Sequence, residues 1–185
     1  MRVFILRRDS VNIFIGTSSR DELDKKILNM SDELIEKVAK VPDLNLVYGG
    51  YDHGVMKKCH DEFKKNNKEI IGITVDAYDD ELDCSEVIIK KSTFDRTKEI
   101  YNKSDILLIL PGGIGTLAEL FSIIEQMRTY DNDKILILYN KDFYYKDLIE
   151  EIYKMYQEKL IEYPPSEYML ISNDIDEIMT VVENF

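Results

Sequence analysis

The stretch Ile106-Leu-Leu-Ile-Leu110-Pro-Gly-Gly-Ile-Gly115-Thr-Leu-Ala-Glu119 decides the fold class. Five consecutive apolar residues, Ile106 to Leu110, read as a fully buried strand. Pro111 ends it, three glycines fall within the next four positions, and an amphipathic run follows. A glycine-rich turn between a buried strand and a helix places backbone N–H groups at the positive end of the helix dipole, where an anion is favoured. The turn is therefore expected to hold a phosphate. It lacks the Gly-Lys-Ser/Thr of a P-loop and the Gly-x-Gly-x-x-Gly of a dinucleotide site.

The same unit repeats in both directions along the chain. Val11 to Ile15, Leu44 to Tyr48, Glu69 to Val75, Val87 to Ile89 and Ile135 to Tyr139 are short apolar runs. Segments of helical period separate them: 21 to 40, 54 to 66, 94 to 103, 116 to 130 and 144 to 159. Pro164-Pro165 breaks the pattern, Met169 to Ser172 supplies a last short strand, and Ile175 to Val182 a closing helix. Alternation of this kind predicts a doubly wound, mostly parallel α/β sheet with helices on both faces. One domain over 1–185 is expected, with residues 1–10 an extension in which Met1 to Leu6 adds an edge strand.

In open α/β sheets, ligands bind beyond the carboxyl ends of the strands. Three glycine-bearing turns follow strands here: Gly16-Thr-Ser-Ser19, Gly49-Gly50 and Pro111 to Gly115. All three are predicted to meet at that edge. Ser18 brings a hydroxyl to it, Asp76 ends a strand there and can bind a ribose hydroxyl, and Arg96 and Lys98 open the helix before the 106–110 strand. The acidic run Asp79-Asp80-Glu81 reads as a solvated loop, and His53 as a loop histidine. Glu119 has two readings. Thr116-Leu-Ala-Glu119 fits a capping box, in which the glutamate bonds back to the N-cap amide. Alternatively, Glu119 is an acid or base beside the bound phosphate. Ser19-Arg-Asp-Glu22 fits a second capping box. Tyr144, Tyr145, Tyr153 and Tyr156 read as packing residues.

Composition narrows the function. The 185 residues carry 36 acidic and 24 basic side chains, a net charge of -12. Such a chain repels a nucleic-acid backbone but admits a small phosphorylated ligand held by a few N–H groups and one or two cations. No apolar run is long enough to span a bilayer, and the N-terminus has no signal-peptide pattern, so a cytoplasmic protein without a membrane partner is expected. Cys59 and Cys84 have no metal-type spacing and read as reduced packing thiols; with two histidines, a metal site has little support.

Pro111-Gly-Gly-Ile-Gly-Thr-Leu-Ala-Glu119 resembles the Pro-Gly-Gly-x-Gly-Thr-x-x-Glu signature of the LOG (Lonely Guy) family of cytokinin riboside 5′-monophosphate phosphoribohydrolases, often mislabelled lysine decarboxylases. The resemblance runs from about Val11 to Ile161. Gly16-Thr-Ser-Ser19 resembles the first family loop. Leu46-Val-Tyr-Gly-Gly50 with Gly54-Val-Met56 resembles the Gly-Gly-Gly-x-x-Gly-Leu-Met segment, Gly72-Ile-Thr-Val-Asp76 the strand that ends in an acidic residue, and Arg96 the arginine of an Arg-Lys motif. The resemblance implies a Rossmann-like homodimer that cleaves a nucleoside 5′-monophosphate to free base and ribose 5-phosphate without metal or organic cofactor. It places catalysis at Arg96 and Glu119 and phosphate binding at Gly112, Gly113, Gly115 and Thr116. Thr97 stands in place of the motif lysine, Tyr51 in place of a third glycine, and Asp76 in place of a glutamate; these departures bear on the substrate accepted. A nucleotide carrier and a ribosyl- or deoxyribosyltransferase are the alternative readings.

Overall fold

A computed structural model describes residues 10–77, 82–130 and 133–185. The expected edge strand at Met1 to Leu6 and the acidic run 79–81 lie outside the described residues. Seven strands form one sheet: β1 (Val11–Gly16), β2 (Leu44–Tyr48), β3 (Ile70–Val75), β4 (Glu86–Lys90), β5 (Ile106–Ile109), β6 (Ile135–Tyr139) and β7 (Leu170–Ser172). Their order is β4-β3-β2-β1-β5-β6-β7, and every pairing is parallel. The doubly wound reading therefore stands. The order runs outward in both directions from the neighbours β1 and β5, which pair from Ile13↔Ile106 to Gly16↔Ile109. The strand order reverses there, so a crevice opens beyond their carboxyl ends.

The helices are α1 (Lys25–Asn29), α2 (Asp32–Ala39), α3 (Gly54–Lys65), α4 (Thr93–Lys103), α5 (Ile114–Thr129), α6 (Lys146–Gln157), α7 (Pro165–Tyr168) and α8 (Ile175–Glu183). Two cores result, one on each face of the sheet. Alternation along β5 assigns its side chains: Ile106 and Leu108 enter the core under α2, α3 and α8, while Leu107 and Ile109 enter the core under α4, α5 and α6. All four are completely buried. Burying each such side chain contributes about 1.5–3 kcal/mol, so an uninterrupted apolar run is what a strand covered on both faces requires.

Three expected boundaries move. The segment 21–40 is two helices, because Asp21 turns its side chain away to Gly54 and Asp24 caps α1 by accepting from Lys26 N–H. The capping box at Ser19–Glu22 is consequently not formed. The segment 144–159 becomes α6, which begins only at Lys146 after Asp142 and Phe143 adopt φ of 52° and 58°. The helix expected from Thr116 starts two residues earlier, at Ile114 with Gly113 as N-cap.

Candidate active site

The earlier start of α5 settles one ambiguity. Thr116 lies inside the first turn rather than at the N-cap, so the Thr116–Glu119 capping box does not form. Glu119, in the second turn, is 6% exposed, and its Oε1 lies 3.0 Å from Nη2 of Arg96. Arg96 sits in the first turn of α4, and its Nε donates to the carbonyl of Ile73 at 2.9 Å. The guanidinium is thus oriented by a strand backbone on one side and by the carboxylate on the other. Burial pushes the Glu119 carboxyl above the usual carboxylate range, and Arg96 partly opposes that rise.

Gly49 explains how the guanidinium reaches this place. A Cβ on Gly49 would run into Nη2 of Arg96. Gly50 serves a different need: it holds φ of 64°, and a Cβ there would press on Thr74 and Leu82. A Cβ on Gly112 would collide with the Thr116 side chain, so this glycine lets the turn fold tightly over the helix start. Gly113 and Gly115 meet nothing within 4 Å and have no positive φ. Neither the backbone nor the protein's own packing calls for glycine at these two positions. Their bareness keeps the start of α5 open to close approach from outside the chain.

The helix starts at this edge differ in how their N–H groups are used. Gly54 N–H, opening α3, donates to Oδ1 of Asp21 at 3.1 Å, and Asp95 N–H in α4 donates to Oγ of Ser92 at 3.1 Å. The N-cap of α5 is a glycine without a side-chain acceptor, and the first intrahelical donor is Leu117 N–H to the Gly113 carbonyl. The amides of Ile114, Gly115 and Thr116 precede it. The carbonyls of residues 110–112, upstream of these amides, each accept a side-chain hydrogen bond. Tyr145 Oη donates to the Leu110 carbonyl at 2.7 Å, Tyr144 Oη to Gly112 at 3.1 Å, and Thr17 Oγ1 to Pro111 at 3.4 Å. With the carbonyls engaged, the turn presents donors, and the helix dipole adds to the pull on an anion.

These groups line one cleft of about 990 Å3. It brings together Ser18, Gly49, Arg96, Gly112, Gly113, Gly115, Thr116 and Glu119, with Arg20 a second cation and Met56 and Tyr144 also in its lining. Gly50, Asp76 and Lys98 do not line it. Asp76 and Lys98 are exposed, and Asp76 N–H pairs with the carbonyl of Lys90. His53 is bonded to Asp21 through Nδ1 at 2.7 Å. Away from the cleft, Asp52, His60 and Asp61 lie close enough to share an ion, but the ammonium of Lys57 stands 2.8 Å from Asp52 and 3.6 Å from Asp61. Sequence reasoning missed Tyr144 and Tyr145 as supports of the turn; their acceptors lie more than thirty residues away and leave no local signal.

The family model described as "Possible lysine decarboxylase" matches residues 56–182. Cytokinin riboside 5′-monophosphate phosphoribohydrolase LOG5 of Arabidopsis thaliana is 30% identical over 178 residues, covering 93% of this chain and 75% of the relative. LOG3 of the same plant is 27% identical over 179 residues, covering 94% and 81%. Among solved structures, the molybdenum cofactor carrier protein of Chlamydomonas reinhardtii superposes with a TM-score of 0.68 at 18% identity, over 95% of this chain and 97% of that one; at that identity the likeness is one of fold. The matched family model, reaching across the turn, Arg96 and Glu119, and the 30% identity to a relative covered over most of its length lead to one conclusion: this chain belongs to the LOG family.

Proposed function

We propose that the chain hydrolyses the N-glycosidic bond of a nucleoside 5′-monophosphate, releasing the free base and ribose 5-phosphate. The observation that carries this reading is the buried Arg96–Glu119 pair opening into the same cleft as the uncapped start of α5. The 5′-phosphate sits on the amides at 114–116, next to Arg20. Glu119 lies five residues further along the helix, about 7.5 Å of axial rise. That span is of the order of the distance from phosphorus to the anomeric carbon. As the C1′–N bond breaks, its electron pair leaves with the base, and positive charge grows on the ribose ring. The Glu119 carboxylate faces that charge and accepts one proton of the water that attacks C1′, while the departing base takes up a proton from solvent at the nitrogen that held the sugar. One hydrogen of the water thus stays on the C1′ hydroxyl, the base gains the equivalent of the other, and Glu119 returns its proton to solvent. Arg96 aligns the carboxylate and favours its ionised form. Phosphate binding, remote from the broken bond, supplies the positioning energy. The scheme uses neither metal nor organic cofactor.

The names of the relatives specify cytokinin riboside 5′-monophosphates, so an isopentenyl-adenosine monophosphate belongs beside AMP and CMP in the assay. Release of ribose 5-phosphate from at least one of them is expected. Tight binding of all without turnover would assign the chain to the carriers, and a new nucleoside on addition of an acceptor base would assign it to the transferases. A carrier would have no need of Arg96 and Glu119.

A homodimer is the proposed working unit. Phe94 and Ile114 are 82% and 88% exposed at the mouth of the cleft, with Phe121 also exposed on α5. Apolar exposure on this scale beside a polar cleft marks an association surface. Sedimentation velocity is expected to give a dimer, and Ile114→Asp a monomer.

A further inference from the structure

A second recess, open and of about 420 Å3, lies beyond the end of β6. The short helix α1 stands between it and the cleft: Ile27 lines the cleft, while Lys25, Lys26 and Asn29 line the recess. The remaining wall includes Glu33, Lys141, Asp142 and Tyr139. Tyr139 is the last residue of β6 and is completely buried, yet its hydroxyl has no hydrogen-bond partner. A buried hydroxyl left in that condition is costly, and such groups are rare enough in native proteins to need a reason.

The other polar groups of the recess can be sorted by what they already hold. Glu33 pairs with Lys37 at 3.2 Å, and Asp142 with Lys26 at 3.3 Å. The Asn29 oxygen accepts from Lys58 at 3.2 Å. Among the described residues, Lys25 and Lys141 make no ion pair. What remains uncommitted is therefore two ammonium groups, the Asn29 amide N–H2 and the Tyr139 O–H. The ammonium groups and the amide N–H2 can only donate, and the hydroxyl can donate as well as accept.

We propose that this recess is a second binding site, separate from the cleft, for a phosphate monoester. The two uncommitted ammonium charges match the charge of about −1.5 to −2 that a phosphate monoester carries near neutral pH, and its oxygens accept the four available donors. A carboxylate brings half that charge and fewer acceptor sites. The proposal does not depend on the activity assigned to the cleft.

The test is a titration of 15N-labelled protein with methyl phosphate at pH 7.5, following backbone amides. Two separately saturating sets of shifts are expected, one at Gly113–Thr116 and one at Lys25, Lys26, Tyr139 and Lys141. In the double variant Lys25→Ala/Lys141→Ala, affinity for the second set is expected to fall at least tenfold, while the first set titrates unchanged. Tyr139→Phe is expected to weaken the second set as well, while its Tm without ligand holds or rises, because only an unpartnered hydroxyl is removed. Acetate is expected to bind the recess at least tenfold more weakly than methyl phosphate. Absence of the second set, or its persistence at full affinity in the double variant, overturns the site. Equal affinity for acetate overturns the phosphate assignment. A fall in Tm for Tyr139→Phe overturns the role given to the hydroxyl. Each of these results leaves the cleft's reading untouched, since Arg96, Glu119 and the 112–116 turn are intact throughout.

Discussion

A carboxyl group that is 6% exposed and 3.0 Å from a guanidinium is pulled two ways. Burial favours the proton and Arg96 favours its loss, and for Glu119 burial prevails, so the group titrates above the 4.5 of an ordinary glutamate. The ionised form is the one that faces the developing charge. As pH falls, kcat/KM is therefore expected to decline along a limb placed above 4.5, where a solvated glutamate would still be ionised. A pH–rate profile from pH 4 to 9 checks this. The stability sign is opposite. A raised folded pKa means the native state holds this proton more tightly than the unfolded chain. The contribution is complete below the unfolded value and is lost as pH rises through the folded one. Glu119→Gln is expected to lower kcat/KM about a hundred- to ten-thousand-fold. The glycines give a sharper contrast. Gly49→Ala forces Arg96 from its place and is expected to cost about 1–3 kcal/mol of stability together with activity. Gly115→Ala, inside the first turn of α5, meets no protein atom within 4 Å; it is expected to leave Tm at or slightly above wild type while raising KM for the nucleotide at least tenfold. Thermal melts and steady-state kinetics on the two variants separate a glycine needed by the fold from one needed by the ligand.

At the scale of elements, the decisive comparison is between helix starts. α3 and α4 have their leading amides engaged by Asp21 and Ser92, whereas the N-cap of α5 makes no side-chain hydrogen bond and its turn is braced from behind by Tyr144 and Tyr145. Tyr145→Phe leaves the buried Leu110 carbonyl without its donor and is expected to cost about 1–3 kcal/mol in a chemical melt. Tyr144→Phe, at a partly exposed residue, is expected to act mainly on KM. These elements also show what a sequence can disclose. β5 was legible because four buried positions served by two cores admit only apolar residues. The glycine turn was legible because its chemistry is contiguous. The helix from 21 to 40 was not read correctly, because Asp21 answers to Gly54, thirty-three residues away. The capping box at Thr116 was not formed, because Gly113, three places before the expected helix start, took the N-cap. Capping motifs are local patterns, and both failures occurred where a distant or unusual partner outcompeted the local one. The pairing of Arg96 with Glu119 had no local signature either; the resemblance implied a catalytic role for each, and the structure shows the two as a buried ion pair.

For the whole molecule, the net charge of -12 and the proposed anionic substrate oppose each other. The overall field repels a nucleotide dianion at long range, while Arg20, Arg96 and the α5 amides attract it at short range. Salt acts unequally on the two. Raising ionic strength from 0.01 M to 0.15 M shortens the screening length from about 30 Å to about 8 Å. Most of the repulsion, spread over a surface of molecular dimensions, disappears under that change. The contacts inside a partly enclosed cleft, made over hydrogen-bond distances, are screened much less. KM for AMP or another accepted nucleotide is therefore expected to fall as salt rises across this range, the reverse of a protein whose basic surface gathers its ligand. Arg20→Ala is expected to raise KM at every ionic strength, because it removes a near attraction while adding only one charge to the distant repulsion. Initial rates over a series of potassium chloride concentrations, for wild type and Arg20→Ala, provide the measurement. A KM that climbs steadily with salt in the wild type would mean that local cations, rather than the acidic surface, control the approach of the substrate.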